Sequence, residues 1–170
     1  MGDGDATRDW AQADPDADVL AIELHRPGVA RLLGTLDAEG PPNVRVAMAD
    51  ACTVLAAVEP GSIRHLRVLF PDPWPKRRHV HRRLVDRRFV TTAAELLRPG
   101  GELLLATDWE DYAEHMVSMV ATDRRLEPDH PLQRPGRPVT AYEQRGLDAG
   151  RPIRDLRYRR TGGDGATSSG

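Results

Sequence analysis

Short apolar runs of strand length recur along this chain, and each is closed by an acid. Val19-Leu-Ala-Ile-Glu-Leu24 carries Glu23 at its end, and Val44-Arg-Val-Ala-Met48 runs to Asp50. Leu66-Arg-Val-Leu-Phe70 runs to Asp72, and Glu102-Leu-Leu-Leu-Ala-Thr107 runs to Asp108. Amphipathic stretches of helical length separate the runs. Strands alternating with helices pair side by side through crossover connections, so the pattern predicts an α/β domain with a largely parallel sheet. In such a sheet ligands bind beyond the carboxyl ends of the strands. The four acids are therefore the first candidates for a site.

The segments between the runs carry their own punctuation. Pro27-Gly28 opens a helix that places Val29, Leu32, Leu33 and Leu36 on one face, and Gly40-Pro-Pro-Asn43 breaks it. A short helix is expected around Val54–Val58, stopped by Pro60-Gly61. A long helix is expected from about His79 to Leu97, with Arg98 in its last turn and Pro99-Gly100-Gly101 after it. Another is expected from about Trp109 to Ala121, with Asp108 as its N-cap. Pro128–Pro138 reads as an irregular loop and Ile153–Tyr158 as a last strand. We assign residues 1–160 to one domain and Thr161–Gly170, rich in Gly, Ser and Thr, to a disordered tail.

A length of 170 residues suffices for one domain with its own core. A single cysteine, Cys52, excludes a disulfide framework or a zinc finger and points to a reducing compartment. No apolar run reaches the length of a membrane helix, and the first residues lack the pattern of a signal peptide, so a soluble cytoplasmic protein is expected. No metal site is expected, and oligomeric state is not readable. The overall charge of −2 conceals a segregation. Residues 1–50 hold ten acids and four arginines, whereas residues 76–88 hold seven cations against Asp86 alone, with His79 and His81 in addition. Such asymmetry points to a polyanion met on one face.

Pro71-Asp72-Pro73-Trp74-Pro75-Lys76 is the least ordinary segment. Three prolines fix φ and keep the preceding residues out of the helical region, giving a stiff loop that holds Asp72 and Trp74 at a strand end. The basic run begins at once, with Lys76, the one lysine of the chain. It lacks the interspersed acids of a solvated, ion-paired helix face, so phosphate contact is favoured. A carboxylate such as Glu23 suits the vicinal hydroxyls of a ribose, and Asp50 is placed to reach a nearby ribose or an adenine amino group. Alone, each of these acids reads as a solvated loop residue or a helix N-cap, and it is the repeat of the same placement on successive strands that points to a site. Thr140-Ala-Tyr-Glu143-Gln-Arg-Gly146 reads only as a polar turn.

Phe70-Pro-Asp-Pro-Trp-Pro-Lys76, with Arg78-His79, Arg82-Arg83 and Leu84-Val85, resembles the signature of the bacterial tRNA (guanine-N7-)-methyltransferases. Ala21-Ile-Glu-Leu-His-Arg-Pro-Gly28, Pro99-Gly-Gly-Glu102, Ala106-Thr-Asp-Trp-Glu110, Arg137-Pro-Val-Thr140 and Glu143-Gln-Arg-Gly146 resemble that family's other blocks. The resemblance implies a Rossmann-like methyltransferase fold that uses S-adenosylmethionine to methylate N7 of the variable-loop guanosine of tRNA. Carried over by motif, Gly2, Gly4, Glu23 and Asp50 resemble cofactor-binding residues, and Asp72 resembles the catalytic acid, also close to the cofactor. Lys76, Asp108, Thr140 and Glu143 resemble substrate contacts, and Arg78, His79, Arg82 and Arg83 the RNA-contacting stretch. His81 departs from the family, which carries a basic residue there.

Gly2 and Gly4 match the last two glycines of the family's Gly-x-Gly-x-Gly loop, so that family's central first strand is missing from this chain. The expectation is that its two neighbours lose a partner and that cofactor binding and stability suffer. A non-catalytic tRNA-binding fragment is the alternative to an enzyme. A small-molecule methyltransferase is a third reading, and it predicts no salt-dependent RNA affinity.

Overall fold

The structure, a computed structural model, describes residues 4–36, 40–129 and 139–162. Gly2, most of the expected 128–138 loop and residues 163–170 of the expected tail lie outside them. The chain divides into two compact units, one formed by residues 1–57 and 134–151, the other by residues 58–133 and 152–170.

In the first unit, α1 (Asp5–Ala13) precedes β1 (Val19–Ile22), α2 (Arg26–Leu36), β2 (Val44–Ala47) and α3 (Ala51–Leu55), and α6 (Ala141–Asp148) joins from the later segment. β1 and β2 pair in parallel, from Val19 opposite Val44 to Ile22 opposite Ala47. Parallel pairing needs a crossover, and α2 supplies it. α1 packs on α2 and on both strands, burying Ala6 and Ala11 together with Ala21 and Leu32. Leu33, expected on the buried face of α2, is 53% exposed, because its neighbour Leu32 takes the inward position about 100° away around the helix. Gly4 caps α1 with φ of 92°, and a Cβ there would lie 2.8 Å from Leu32 Cδ1. Only glycine allows both that backbone and that approach to α2. The Asn43 side-chain amide donates to the carbonyls of Ala11, Asp14 and Ala17, tying the α1–β1 connection to the start of β2.

The second unit holds β3 (Ile63–Leu69), α4 (Arg87–Leu96), β4 (Leu97–Thr107), α5 (Glu110–Val120), β5 (Leu126–Pro128) and β6 (Arg154–Arg160). The strand order is β3-β4-β6-β5; β3 and β4 are parallel, and β6 is antiparallel to both of its neighbours. An antiparallel edge on a parallel α/β sheet is a common arrangement. α4 and α5 pack on β4 and on each other. Their apolar stripes, Phe89, Val90, Ala93 and Ala94 on one helix and Tyr112, Ala113, Met116 and Val120 on the other, are buried with Leu103 and Leu105. The described strands thus form two sheets, with β1 paired only to β2 and β3 at the edge of its own sheet.

The long helix expected over 79–97 is instead a 3₁₀ helix, Arg77–Arg82, an extended turn, and then α4. Asp86 explains the break. Its side chain accepts from the Phe89 N–H at 2.8 Å, which starts a new helix there. The short helix expected at 54–58 lies at Ala51–Leu55, since Asp50 caps it by accepting from the Thr53 N–H. Among the described residues no helix is long and apolar enough to cross a membrane.

Candidate functional site

The first unit brings two of the expected acids together. Glu23 follows β1 and its N–H donates to Ala47 O at 3.1 Å, so the pairing continues one residue past Ile22 and places Glu23 beside the end of β2. Asp50 stands three residues beyond Ala47, at the end of the neighbouring strand. Glu23 Oε1 accepts from the His25 N–H at 2.9 Å. Burial pulls the Glu23 carboxyl upward, and the hydrogen bonds it accepts from the His25 and Leu24 N–H groups oppose that pull. A Cβ on Gly28 would stand 3.1 Å from Glu23 Cγ, Cδ and Oε2. Glycine at 28 is what leaves this carboxylate its space. Asp50 Oδ1 accepts from both Thr53 N and Thr53 Oγ1, at 3.0 and 3.2 Å, which leaves Oδ2 outside those bonds.

Thr140 and Glu143, expected at the substrate, have a local role in the same unit. Thr140 Oγ1 accepts from the Glu143 N–H at 3.2 Å and caps α6, in the Thr-x-x-Glu spacing of a capping box. The Glu143 side chain is wholly buried at the start of α6. The reading of 140–146 as a mere turn missed this helix, although the capping spacing was visible in it.

The second unit brings together the other pair. Leu69 stands opposite Ala106, and Phe70 N–H donates to Ala106 O at 2.8 Å. Asp72 and Asp108 therefore leave the carboxyl ends of adjacent parallel strands. Asp108 does not cap α5. Trp109 occupies the N-cap without a side-chain bond, and its N–H donates to Thr107 Oγ1 at 3.2 Å. The 71–75 loop is bracketed by two left-handed residues, Phe70 with φ of 50° and Trp74 with φ of 44°. Bulky residues rarely adopt such backbone, and where they do the surrounding structure holds them there.

The basic stretch divides in two. Lys76, Arg78 and Arg82 are exposed and His79 half-buried. Arg82 lies 5.0 Å from the centre of the Trp74 ring, and His79 meets that ring edge-on at 5.8 Å. Arg83 departs from the expectation. Its side chain is 3% exposed, Nε donates to Pro73 O at 2.9 Å, a terminal nitrogen pairs with Asp111, and its guanidinium stacks on Tyr112. A side chain so enclosed is not part of the exposed cationic surface. Burial raises the Tyr112 hydroxyl above its ordinary value, against the opposing influence of the Val85 N–H that it accepts at 3.2 Å. Charge alternation along a sequence does not report burial, which is why Arg83 was grouped with its exposed neighbours.

Among the described residues no group of three or more His, Cys, Asp or Glu side chains could hold a metal ion. The two halves offer carboxylates beyond paired strand ends in one unit, and carboxylates beside a rigid aromatic loop and a cationic surface in the other.

A family model described as "Putative methyltransferase" matches residues 1–156. The chain is 46% identical over 166 residues to the tRNA (guanine-N(7)-)-methyltransferase of Streptomyces avermitilis, covering 94% of this chain and 57% of that protein. It is also 46% identical over 165 residues to the protein of the same name from Alkalilimnicola ehrlichii, covering 94% of this chain and 70% of that one. Among solved structures, an rRNA methylase from Streptococcus thermophilus superposes with a TM-score of 0.61 at 15% identity, covering 95% of this chain and 83% of that one. The shared fold is that of the α/β methyltransferases.

Proposed function

This chain belongs to the tRNA (guanine-N7-)-methyltransferase family, and on that premise we propose that it serves transfer of a methyl group from S-adenosylmethionine to N7 of the variable-loop guanosine of tRNA. The observation that carries the reading is the placement of Asp72 and Asp108 on adjacent parallel strand ends, with the exposed cations Lys76, Arg78 and Arg82 following in the same unit.

The residues present fit the cofactor. The Glu23 carboxyl lies in a space that a Cβ on Gly28 would fill, at a strand end where a carboxylate suits two ribose hydroxyls. Asp50, with Oδ2 outside its capping bonds, suits an adjacent ribose or adenine donor. When bound, S-adenosylmethionine supplies an electrophilic methyl on a sulfonium.

Guanine N7 carries an unprotonated lone pair, so no strong base is required of the protein. The work left to the chain is alignment and charge. Asp72 and Asp108 are acceptors suited to the guanine N1–H and amino group, and their negative charge favours the cation that develops as N7 is alkylated. The base has to leave its stack to be reached. Lys76, Arg78, His79 and Arg82 hold the backbone meanwhile, with Arg82 held ready by the Trp74 ring.

The test is Asp72→Ala, assayed for methyl transfer and for tRNA affinity. Transfer is expected to fall on the order of 100-fold or more while affinity changes little. Equal loss of both would make Asp72 a structural residue and remove the reading's centre.

A further inference from the structure

The cationic run 76–88 reads in sequence as one surface, yet its members have two different fates. Arg78 and Arg82 face solvent, whereas Arg83 is enclosed and each side of its guanidinium is occupied. Nε holds the Pro73 carbonyl, a terminal nitrogen holds Asp111 on α5, and the plane lies 4.9 Å from the centre of the Tyr112 ring. α5 grips the same turn twice more. Tyr112 Oη accepts from the Val85 N–H, and His115 Nε2 lies 3.0 Å from Val85 O.

The Pro73 carbonyl is the oxygen of the peptide that joins Pro73 to Trp74, one residue after Asp72. Prolines 71, 73 and 75 have no N–H, so those positions of the loop cannot be anchored through donors. Carbonyl oxygens are the remaining backbone handles there, and Arg83 holds this one. Fixing it fixes the peptide plane that leads into the left-handed Trp74, and because the Pro73 ring locks its own φ, the hold is passed back to the peptide that carries Asp72.

We propose that Arg83 is a positioning residue: through Pro73 O it couples α5 to the 71–75 loop and sets the orientation of Asp72, without touching RNA. This rests on the reaction proposed above. A planar fork is needed to reach a carbonyl and a carboxylate at once, and lysine lacks it. A phosphate contact, in contrast, would tolerate lysine and would contribute to the salt dependence of binding.

The experiment uses the full chain with unmodified tRNA and S-adenosylmethionine, and compares Arg83→Met, Arg83→Lys and Asp111→Asn with Arg82→Ala. For both Arg83 variants kcat is expected to fall tenfold or more. The slope of log Kd for tRNA against log salt is expected to stay at the wild-type value. Arg82→Ala is expected to shift that slope by about 1. A slope change of that size in Arg83→Met, or wild-type kcat in Arg83→Lys, overturns the proposal. Asp111 is 70% exposed, so Asp111→Asn leaves the core intact if the Arg83 variants fail to fold. A lowered kcat at unchanged slope supports the proposal there, and an unchanged kcat overturns it. Hydrogen exchange across residues 70–86 separates this inference from its premise. Should the wild type methylate no tRNA, the functional reading fails. Exchange accelerated tenfold in Asp111→Asn would then still support the coupling, and unaltered exchange would refute it.

Discussion

Phe70 and Trp74, four residues apart, both hold left-handed backbone, and each stands immediately before a proline. Proline already restricts the residue that precedes it, so the loop stores conformational cost at both of its ends. That cost, about 1–3 kcal/mol for each such residue, is met by the β3–β4 pairing below Phe70 and by the contacts of Trp74 and Pro73 above it.

The first prediction isolates the backbone from the ring. Trp74→Ala and Trp74→Gly both lose the contacts to Arg82 and His79, but only glycine accepts φ of 44° freely. Glycine usually destabilises relative to alanine. Here the order is expected to invert, with Trp74→Gly more stable in urea unfolding by about 1 kcal/mol. The ordinary order would mean that the left-handed turn is not kept in solution.

Gly28 yields a prediction in which stability and binding move apart. A Cβ there crowds the flexible end of Glu23 and not its backbone, and alanine suits a helix better than glycine does. Gly28→Ala is expected to melt at the wild-type temperature or slightly above it. Its Kd for S-adenosylmethionine, measured by calorimetric titration, is expected to rise about tenfold, as loss of a charge-assisted hydrogen bond implies. Undiminished affinity would take the cofactor role from Glu23.

Glu102 gives the second unit a pH signature. Its carboxyl is lowered to about 2. His65 is the largest influence, though its Nδ1 lies 3.7 Å from Oε1, an ion-pair distance, while Arg157 Nε and a terminal nitrogen both reach Oε2 at 2.5 Å. Of these contacts only those of Arg157 are of hydrogen-bond length. A carboxyl held below its unfolded value stabilises the fold above that value, and the contribution is lost as pH falls toward 2. Urea unfolding from pH 6 to pH 2 is expected to show a decline attributable to Glu102 of about 3 kcal/mol at most. Glu102→Gln is expected to flatten the profile between pH 5 and pH 2. An unaltered slope in that variant would place the sensitivity elsewhere.

The strand-end acids were legible in the sequence because apolar runs report burial, and a polar residue closing such a run has to lie at the strand's end. The identity of 71–76 as a rigid loop was legible from its prolines. Arg83 was not, since nothing in the run 76–88 distinguishes an arginine that points inward, and the partners that enclose it, Asp111 and Tyr112, are 28 and 29 residues away. The break between the 3₁₀ helix and α4 lay in Asp86, whose capping role competes with its reading as a lone acid among cations. α6 was concealed because its apolar content is low, and its Thr140 cap was the one available signal. The separation of the described strands into two sheets, with β1 paired only to β2 and β3 at an edge, agrees with the expectation, drawn from Gly2 and Gly4, that two strands lack a partner.

α5 holds the turn at the main chain of Val85, through Tyr112 and His115, and at the Arg83 guanidinium, which in turn holds the main-chain oxygen of Pro73. Main-chain atoms are the same whatever side chains project from them. The outward residues of the 3₁₀ helix can therefore be exchanged to retune which RNA surface is met, while the frame that carries Asp72 keeps its shape. The proposed recognition and positioning roles are in that sense separable by substitution, and a library confined to positions 77, 78 and 81, which leaves the Arg82–Trp74 contact in place, would vary the first without disturbing the second.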